Sequence, residues 1–337
     1  MKRNAMWITY RGPVLRQMAA LLVLAGCMAG PVGAAETIGL NLEATVDARR
    51  WQAPRFSYGR DDRNGAVHTQ SLHDWEIAPG FAVTYEPGQL FIVPSWVGER
   101  FRYQFRYGRV DGSAAASGTI GQVSTPTLVA ISGASSIDLL APANTTTRVD
   151  HRNDTFSFGV ATDYKLWRGV TFSPSLGITF GESQQDYRLG IVETGGFRDT
   201  VNETVRRRYI GPSFGLEIGV PIIDAVRVIA GTSAAVLWSD IRLTGNDCSG
   251  FDVSGACDGS FYRTALNRGL SGWGWSSESN LGVEIEFGPV TARLTGMFEA
   301  EQARQRIVNP RVTGGPATVA DEVTFAYGAR LGVGYLF

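Results

Sequence analysis

Few residues in this sequence have a type and spacing suited to chemistry. Gly211-Pro212-Ser213-Phe214-Gly215 fits the G-x-S-x-G pattern of a serine nucleophile. That chemistry needs the serine on a strand-to-helix turn beside an oxyanion hole. Here the pattern lies inside an alternating run from Tyr209 to Val220 with no helical period behind it, so Ser213 is expected to be a small residue on a strand. Three histidines are present, His68, His73 and His151. His73-Asp74 and Asp150-His151 join an acid to an imidazole, as general-base catalysis requires, and both are expected at strand ends facing outward. Spacing this generic describes solvated loop histidines better, and no catalytic residue is assigned. Asn246, Asp247, Asp252 and Asp258 flank Cys248 and Cys257. Their oxygens suit calcium, yet the EF-hand spacing is missing, and no histidine stands near the cysteines to complete a zinc site. No metal or cofactor is therefore expected, and the segment reads as a polar external loop.

More charge lies inside alternating segments, on their polar faces. Arg102, Arg106, Glu278, Glu284, Glu286, Arg293 and Arg330 occupy such positions, with Glu43, Glu217 and Glu299. Glu284 and Glu286 lie across the Gly288-Pro289 turn from Arg293, so cross-strand ion pairing is expected there. Arg102 and Arg106 are expected to face carboxylates and to shape a narrow ion path.

The elements that must position these groups are strands. The chain has 337 residues, with 31 basic against 32 acidic side chains, a net charge of −1. No positive excess exists to meet a phosphate backbone, so no nucleic-acid partner is expected. Lysine occurs only at Lys2 and Lys165, so nearly all positive charge is arginine. Glycine reaches 41 residues, well above the usual level of about 7%.

Residues 1–35 read as a secretory signal. Lys2, Arg3, Arg11 and Arg16 precede a short apolar stretch from Met18 to Ala29, and Val32-Gly33-Ala34-Ala35 offers small residues for cleavage after Ala35. Leu24-Ala25-Gly26-Cys27 also fits a lipobox, which would make Cys27 a lipidation site. Export leaves Cys248 and Cys257, with eight residues between them, and the oxidising compartment favours a local disulfide.

Residues 36–337 alternate with a period of two. Phe101, Tyr103, Phe105 and Tyr107 interleave with Arg102, Gln104 and Arg106; Leu281, Val283, Ile285 and Phe287 interleave with Gly282, Glu284 and Glu286. Ten strands are expected, at about 37–48, 74–86, 89–110, 150–164, 169–182, 204–220, 226–242, 272–287, 290–306 and 322–337. Tight turns at Glu86-Pro87-Gly88, Lys165 to Arg168, Pro221 to Asp224 and Gly288-Pro289 alternate with long polar segments. The expected fold is all-β: a transmembrane antiparallel up-and-down β-barrel of about ten strands, with short periplasmic turns and long external loops. Such a barrel turns its apolar face to lipid and must close, because an open edge would strand backbone groups in hydrocarbon. Trp75, Tyr85, Trp167, Trp238, Trp273, Trp275, Phe287, Tyr335 and Phe337 fall where interfacial aromatic girdles are expected. Residues 127–131 and 137–141 form either an extra hairpin, giving twelve strands, or an inward plug. Pro94 and Gly98 mark an expected bulge in the third strand.

The last eight residues, Arg330-Leu331-Gly332-Val333-Gly334-Tyr335-Leu336-Phe337, resemble the C-terminal β-signal of bacterial outer-membrane proteins. In that signal a polar residue, a glycine and two aromatics, here Arg330, Gly332, Tyr335 and Phe337, are read by the barrel-assembly machinery. The whole exported chain resembles Gram-negative outer-membrane β-barrels of the porin or surface-antigen kind. Residues 156–180 and 209–238 resemble the Legionella-type major outer-membrane protein family. The resemblance implies a structural or passive-transport barrel in contact with outer-membrane lipid and lipopolysaccharide, and leaves the oligomeric state open. Arg206-Arg207-Arg208, at the outer end of a strand, is expected to be a solvated charged rim, with contact to lipopolysaccharide phosphate as the alternative. Wide porins need about 16–18 strands, so at most a small channel is expected. Ten strands are also shared with the omptin proteases, whose rim site uses acidic pairs and an Asp/His pair. This sequence has no Asp-x-Asp in its second long loop and no histidine among Asp247, Asp252 and Asp258. A rim-site hydrolase near His73 and His151 is the alternative function.

Overall fold

The computed structural model of the chain describes residues 39–58, 68–70, 72–86, 100–120, 127–139, 142–251, 262–310 and 313–337. In chain order the strands are β1 (Leu40–Gln52), β2 (Phe56–Tyr58), β3 (His68–Gln70), β4 (His73–Tyr85), β5 (Arg100–Ile120), β6 (Thr127–Val129) and β7 (Ser136–Asp138). They continue with β8 (Ala143–Lys165), β9 (Thr171–Glu193), β10 (Arg198–Ile223), β11 (Val226–Gly250), β12 (Tyr262–Phe287), β13 (Val290–Val308) and β14 (Thr318–Leu336). Ten of them, β1, β4, β5 and β8 to β14, form an antiparallel ring in which each pairs with the next. β14 returns to β1, from Leu336 opposite Asn41 to Ala326 opposite Trp51, so the barrel closes and has no free edge. β2 and β3 join this sheet through a single bridge between Ser57 and Val308, and β6 and β7 form a separate hairpin. The barrel is thus ten-stranded, and residues 127–139 form the inward plug rather than two further staves.

One end of the ring has short turns. Arg168 and Gly169 turn β8 into β9 with φ of 60° and 76°, conformations that cost a glycine little. Asp224-Ala225 joins β10 to β11, and Gly288-Pro289 joins β12 to β13. Both ends of the ring's chain lie here: the Phe337 amide donates to the Leu40 carbonyl at 2.8 Å.

Next to that end, the outward face is apolar. It runs through Tyr103, Phe105 and Tyr107 on β5; Val160, Phe158 and Phe156 on β8; and Leu176, Ile178 and Phe180 on β9. It continues with Ile218, Phe214 and Ile210 on β10, Val236 and Trp238 on β11, Val283 and Leu281 on β12, and Leu331 and Val333 on β14. Phe214, Leu281 and Leu331 are each more than half exposed, at 54%, 63% and 53%. Large apolar side chains stand exposed on eight of the ten staves, all but β1 and β5, and in a closed barrel they belong against acyl chains. Trp238 and Trp273 meet edge to face, 5.1 Å between centroids, at the upper margin.

Above the belt the pattern inverts without a break in pairing. On β10, odd-numbered residues point inward throughout, yet they change from Glu217, Gly215 and Ser213 to Val205 and Val201. The outward set changes from Phe214 and Ile210 to Arg208, Arg206 and Thr204. β9 does the same, from Phe180 outward to Leu189 and Ile191 inward. The strands therefore continue well past the membrane. β5 runs to Ile120, β9 and β10 are separated by only residues 194–197, and β11 reaches Gly250. The long polar segments near 111–149, 183–203 and 243–271, expected as loops, are largely strand among the described residues. Their polar composition reflects a solvated outer wall, not irregular backbone. The expected signal segment, the 89–99 stretch of the third strand and its bulge at Pro94 and Gly98 lie outside the described residues.

Candidate functional site

The bore is where the inward-facing groups converge. At belt level it holds ion pairs. Arg330 binds Asp47 through two nitrogens, at 2.8 and 2.9 Å, and Glu278 at 2.6 Å. Arg49 donates to Glu76 at 2.6 Å and also to Glu299. Arg293 bonds Glu284 and reaches Glu217 at 3.4 Å, while Arg227 bonds Glu284 and, at 2.9 Å, Glu286. Glu284 and Arg293 are directly opposite in the β12–β13 ladder, as the turn between them requires. Arg102 bonds Asp163 at 2.5 Å, and Ser173 donates to the same carboxylate at 2.6 Å. Arg106 faces the bore within electrostatic reach of Glu217 and Glu278, with no ion pair among the described residues.

The charged wall comes from β1, β4 and β12 to β14. The opposite wall, from β5 and β8 to β11, is more sparsely charged, with Arg106 and Glu217 set among Ser157, Thr179, Ser213 and Ser233. Between the walls lies a chamber of about 350 Å³. It is polar, which suits water and small polar solutes rather than a hydrocarbon.

Outward of this chamber the bore is filled. Trp51, Val149, Tyr187, Leu189, Val205, Ile241, Leu243 and Ile307 point inward and are buried. They pack on Phe56 and Tyr58 from β2 and on Leu128, Ile131 and Leu139 from the β6–β7 hairpin. Phe56 stacks on Tyr187 at 5.5 Å. The hairpin is anchored at its tip, where the Ala317 amide donates to the Ile131 carbonyl at 2.7 Å. The plug is a continuous apolar core across the extramembrane half of the barrel.

Inside the plug sit acids with no cationic partner among the described residues. Tyr58 donates to Asp247 at 3.1 Å, as does the Ile131 amide at 3.2 Å. Ser249 donates to Asp199 at 3.0 Å, and Asn309 donates to Glu203 at 3.0 Å. Burial pushes Asp199 well up, helped by the neighbouring Asp247, and raises Asp247 too. Glu203 is pushed up to about 8 by burial, with Asn309 opposing. Neutral carboxyl groups are the form this surrounding tolerates.

The sequence-expected residues fall in three places. Glu278, Glu284, Glu286, Arg293, Arg330, Arg102 and Arg106 all reach the bore, as do Glu43, Glu217 and Glu299. Arg330 and Gly332 of the terminal motif face inward, while Tyr335 faces lipid and meets Phe337 edge to face at 4.7 Å. Cys248 is buried, but Cys257 lies outside the described residues with Asp252 and Asp258, so the disulfide is not placed. Asn246 and Asp247 are in β11 rather than in a loop.

His151 corrects the expectation of a strand end on the outer side, while His73 meets it. His151 lies mid-strand, buried, stacked on Trp51 at 4.5 Å. Burial, with Arg49 and Arg207 nearby, lowers its pKa to about 3. His73 is exposed at the start of β4, and no hydrogen bond joins it to His151 among the described residues. Ser213 lies mid-strand with no helix after it, so the nucleophile pattern has no elbow. Of the three arginines, Arg206 and Arg208 face outward and both bind Glu182, but Arg207 turns inward to Glu301. Sequence reasoning missed Arg49, Asp47, Glu76 and the plug acids. Asp47 and Arg49 share the parity of Glu43, which is the signal that extends the first strand inward past 48.

No protein-family model matches the chain, and no curated protein matches it in sequence. Solved structures with related shape include the outer membrane protease OmpT of Escherichia coli, at 9% identity and a TM-score of 0.46, over 91% of this chain and 99% of that one. A Pseudomonas aeruginosa FadL homologue shares 7% identity over 89% and 90% of the two chains, with a TM-score of 0.25. The Pseudomonas putida toluene transporter TodX shares 9% over 93% of each, at 0.24.

Proposed function

We propose that this chain is an outer-membrane β-barrel that serves as a sealed surface scaffold, and that it is not a standing pore. The observation that carries the reading is the apolar plug. Ions and sugars cannot cross a core of Phe56, Tyr58, Ile131, Tyr187 and Leu243 without shedding their hydration. Below the plug, arginine–carboxylate pairs span the bore and leave a chamber, not a channel. The long outward walls above the belt then present a rigid polar surface to the exterior.

A small passive channel would require the plug to leave, and a rim hydrolase would require His151 to reach solvent. Liposome swelling discriminates these readings. The refolded barrel should admit small sugars no faster than protein-free liposomes do. Swelling at the rate of an open pore would overturn the scaffold reading. Cleavage of peptide or lipid by the pure protein, lost in His151→Asn, would support the hydrolase instead.

A further inference from the structure

Three adjacent staves and the plug bring side-chain oxygens together in the extramembrane half of the barrel. Asp199 on β10 and Asp247 and Ser249 on β11 are buried and face the bore. Asp199 stands opposite Ser249 in one ladder, and Asp247 stands opposite Thr264 of β12 in the next. Tyr58 of β2 reaches them from inside the bore and donates to Asp247 at 3.1 Å. The two aspartates are 2% and 4% exposed and lie within hydrogen-bond reach of each other.

The hydrogen bonds use only part of this oxygen set. Asp199 accepts from Ser249 through Oδ1, and Asp247 accepts from Tyr58 and the Ile131 amide through Oδ2. Asp199 Oδ2, Asp247 Oδ1 and Thr264 Oγ1 are buried with no hydrogen-bond partner among the described residues. Beside them Tyr58, Asp247, Ser249 and Thr264, with Ala130 and Ser135 of the plug hairpin, enclose a void of about 10 Å³. Such a void takes about one water-sized sphere. Two carboxylates in contact in an apolar surrounding cannot both carry charge without a cation to balance them.

We propose that this cluster is a calcium site, with Asp199 and Asp247 supplying the charge and Ser249, Thr264 and Tyr58 supplying hydroxyl oxygens. An all-oxygen donor set selects a hard cation over zinc or copper. Both oxygens of each carboxylate and the three hydroxyls fall within the roughly six to eight oxygens that calcium takes. Magnesium keeps several waters, and the void has no room for them. The two acids balance a divalent charge. In calcium-free solution protons keep the same groups neutral, and the ion replaces them. Because Asp247 also holds the Ile131 amide, the ion fastens the plug hairpin to β2, β10, β11 and β12. The acids around the cysteines gave Asp247 alone of this pair; Asp199 comes from another strand. This inference is independent of whether the bore conducts.

The test uses the full refolded barrel in detergent micelles near neutral pH, stripped with a chelator and titrated with calcium chloride or magnesium chloride. Amide exchange is read in the β6–β7 hairpin, and bound calcium is counted by titration calorimetry. One calcium per chain should bind with a midpoint of about 0.1–1 mM, the range of weak extracellular sites, and hairpin exchange should slow about tenfold or more at saturation. Magnesium at the same concentration should leave exchange unchanged. D199N/D247N should neither bind calcium nor respond to it, with heat-modifiable gel mobility reporting its fold. Should that variant not fold, Thr264→Val alone should raise the calcium midpoint several-fold. Hairpin exchange that calcium leaves unchanged would overturn the proposal, as would a natural calcium response in either variant. An equal response to magnesium would overturn the assignment to calcium.

Discussion

Glu203 is buried among apolar side chains with Asn309 as its hydrogen-bond donor, and its carboxyl titrates near 8. Neutral burial therefore holds fully below the ordinary glutamate range and is lost as pH rises toward 8. The folded state holds one extra proton across that window, a loss of about 1.4 kcal/mol per pH unit and on the order of 5 kcal/mol in all. Asp199 and Asp247 act in the same direction. His151 has the opposite sign: its folded form stays neutral to about 3, so its contribution is complete above the ordinary imidazole value and is lost as pH falls. Amide exchange in the β6–β7 hairpin should then speed up on both sides of an optimum. Glu203→Gln should flatten the alkaline limb and His151→Phe the acid limb; unchanged limbs in both would show that these groups do not govern the plug. Among individual residues, the Glu284–Arg293 pair was legible because a two-residue turn fixes its register. The burial of His151 and Asp247 was not, because neither the plug nor the strand extension shows in their neighbours in sequence.

At the scale of elements, the belt strands were legible and their outer extensions were not. Alternation marks a strand but does not say which side is lipid and which is protein core. Between Ile210 and Val205 the apolar phase moves from the outward to the inward face, and a sequence reading sees only a pattern that falters. Two substitutions separate the halves. Phe214→Arg, on the lipid face, should cost about 2–4 kcal/mol of barrel stability. Ile131→Ala, in the plug, should cost about 2–5 kcal/mol locally, seen as faster hairpin exchange with the belt's protection intact. Loss of protection throughout the barrel in the second variant would mean plug and belt are one cooperative unit. The terminal strand bears on assembly as well: removing Phe337 should slow insertion in cells yet leave refolding in detergent unchanged. Equal insertion would argue against Arg330, Gly332, Tyr335 and Phe337 acting as an assembly signal.

For the whole molecule, the ring closes through β1 and β14, the belt faces lipid, and the bore is divided into a polar chamber and an apolar plug. Closure and strand number followed from the even count of staves and the short-turn, long-segment rhythm. The plug followed only as one of two readings of 127–141, since its lid depends on contacts between Ile131, Tyr58 and Asp247 that are distant in sequence. The central claim is that the plug seals the bore. Planar-bilayer recording of the full chain beside a variant lacking 127–139 tests it most directly. The full chain should be electrically silent and the shortened one should conduct in steady steps; steady conductance from the full chain, unchanged by the deletion, would contradict the account.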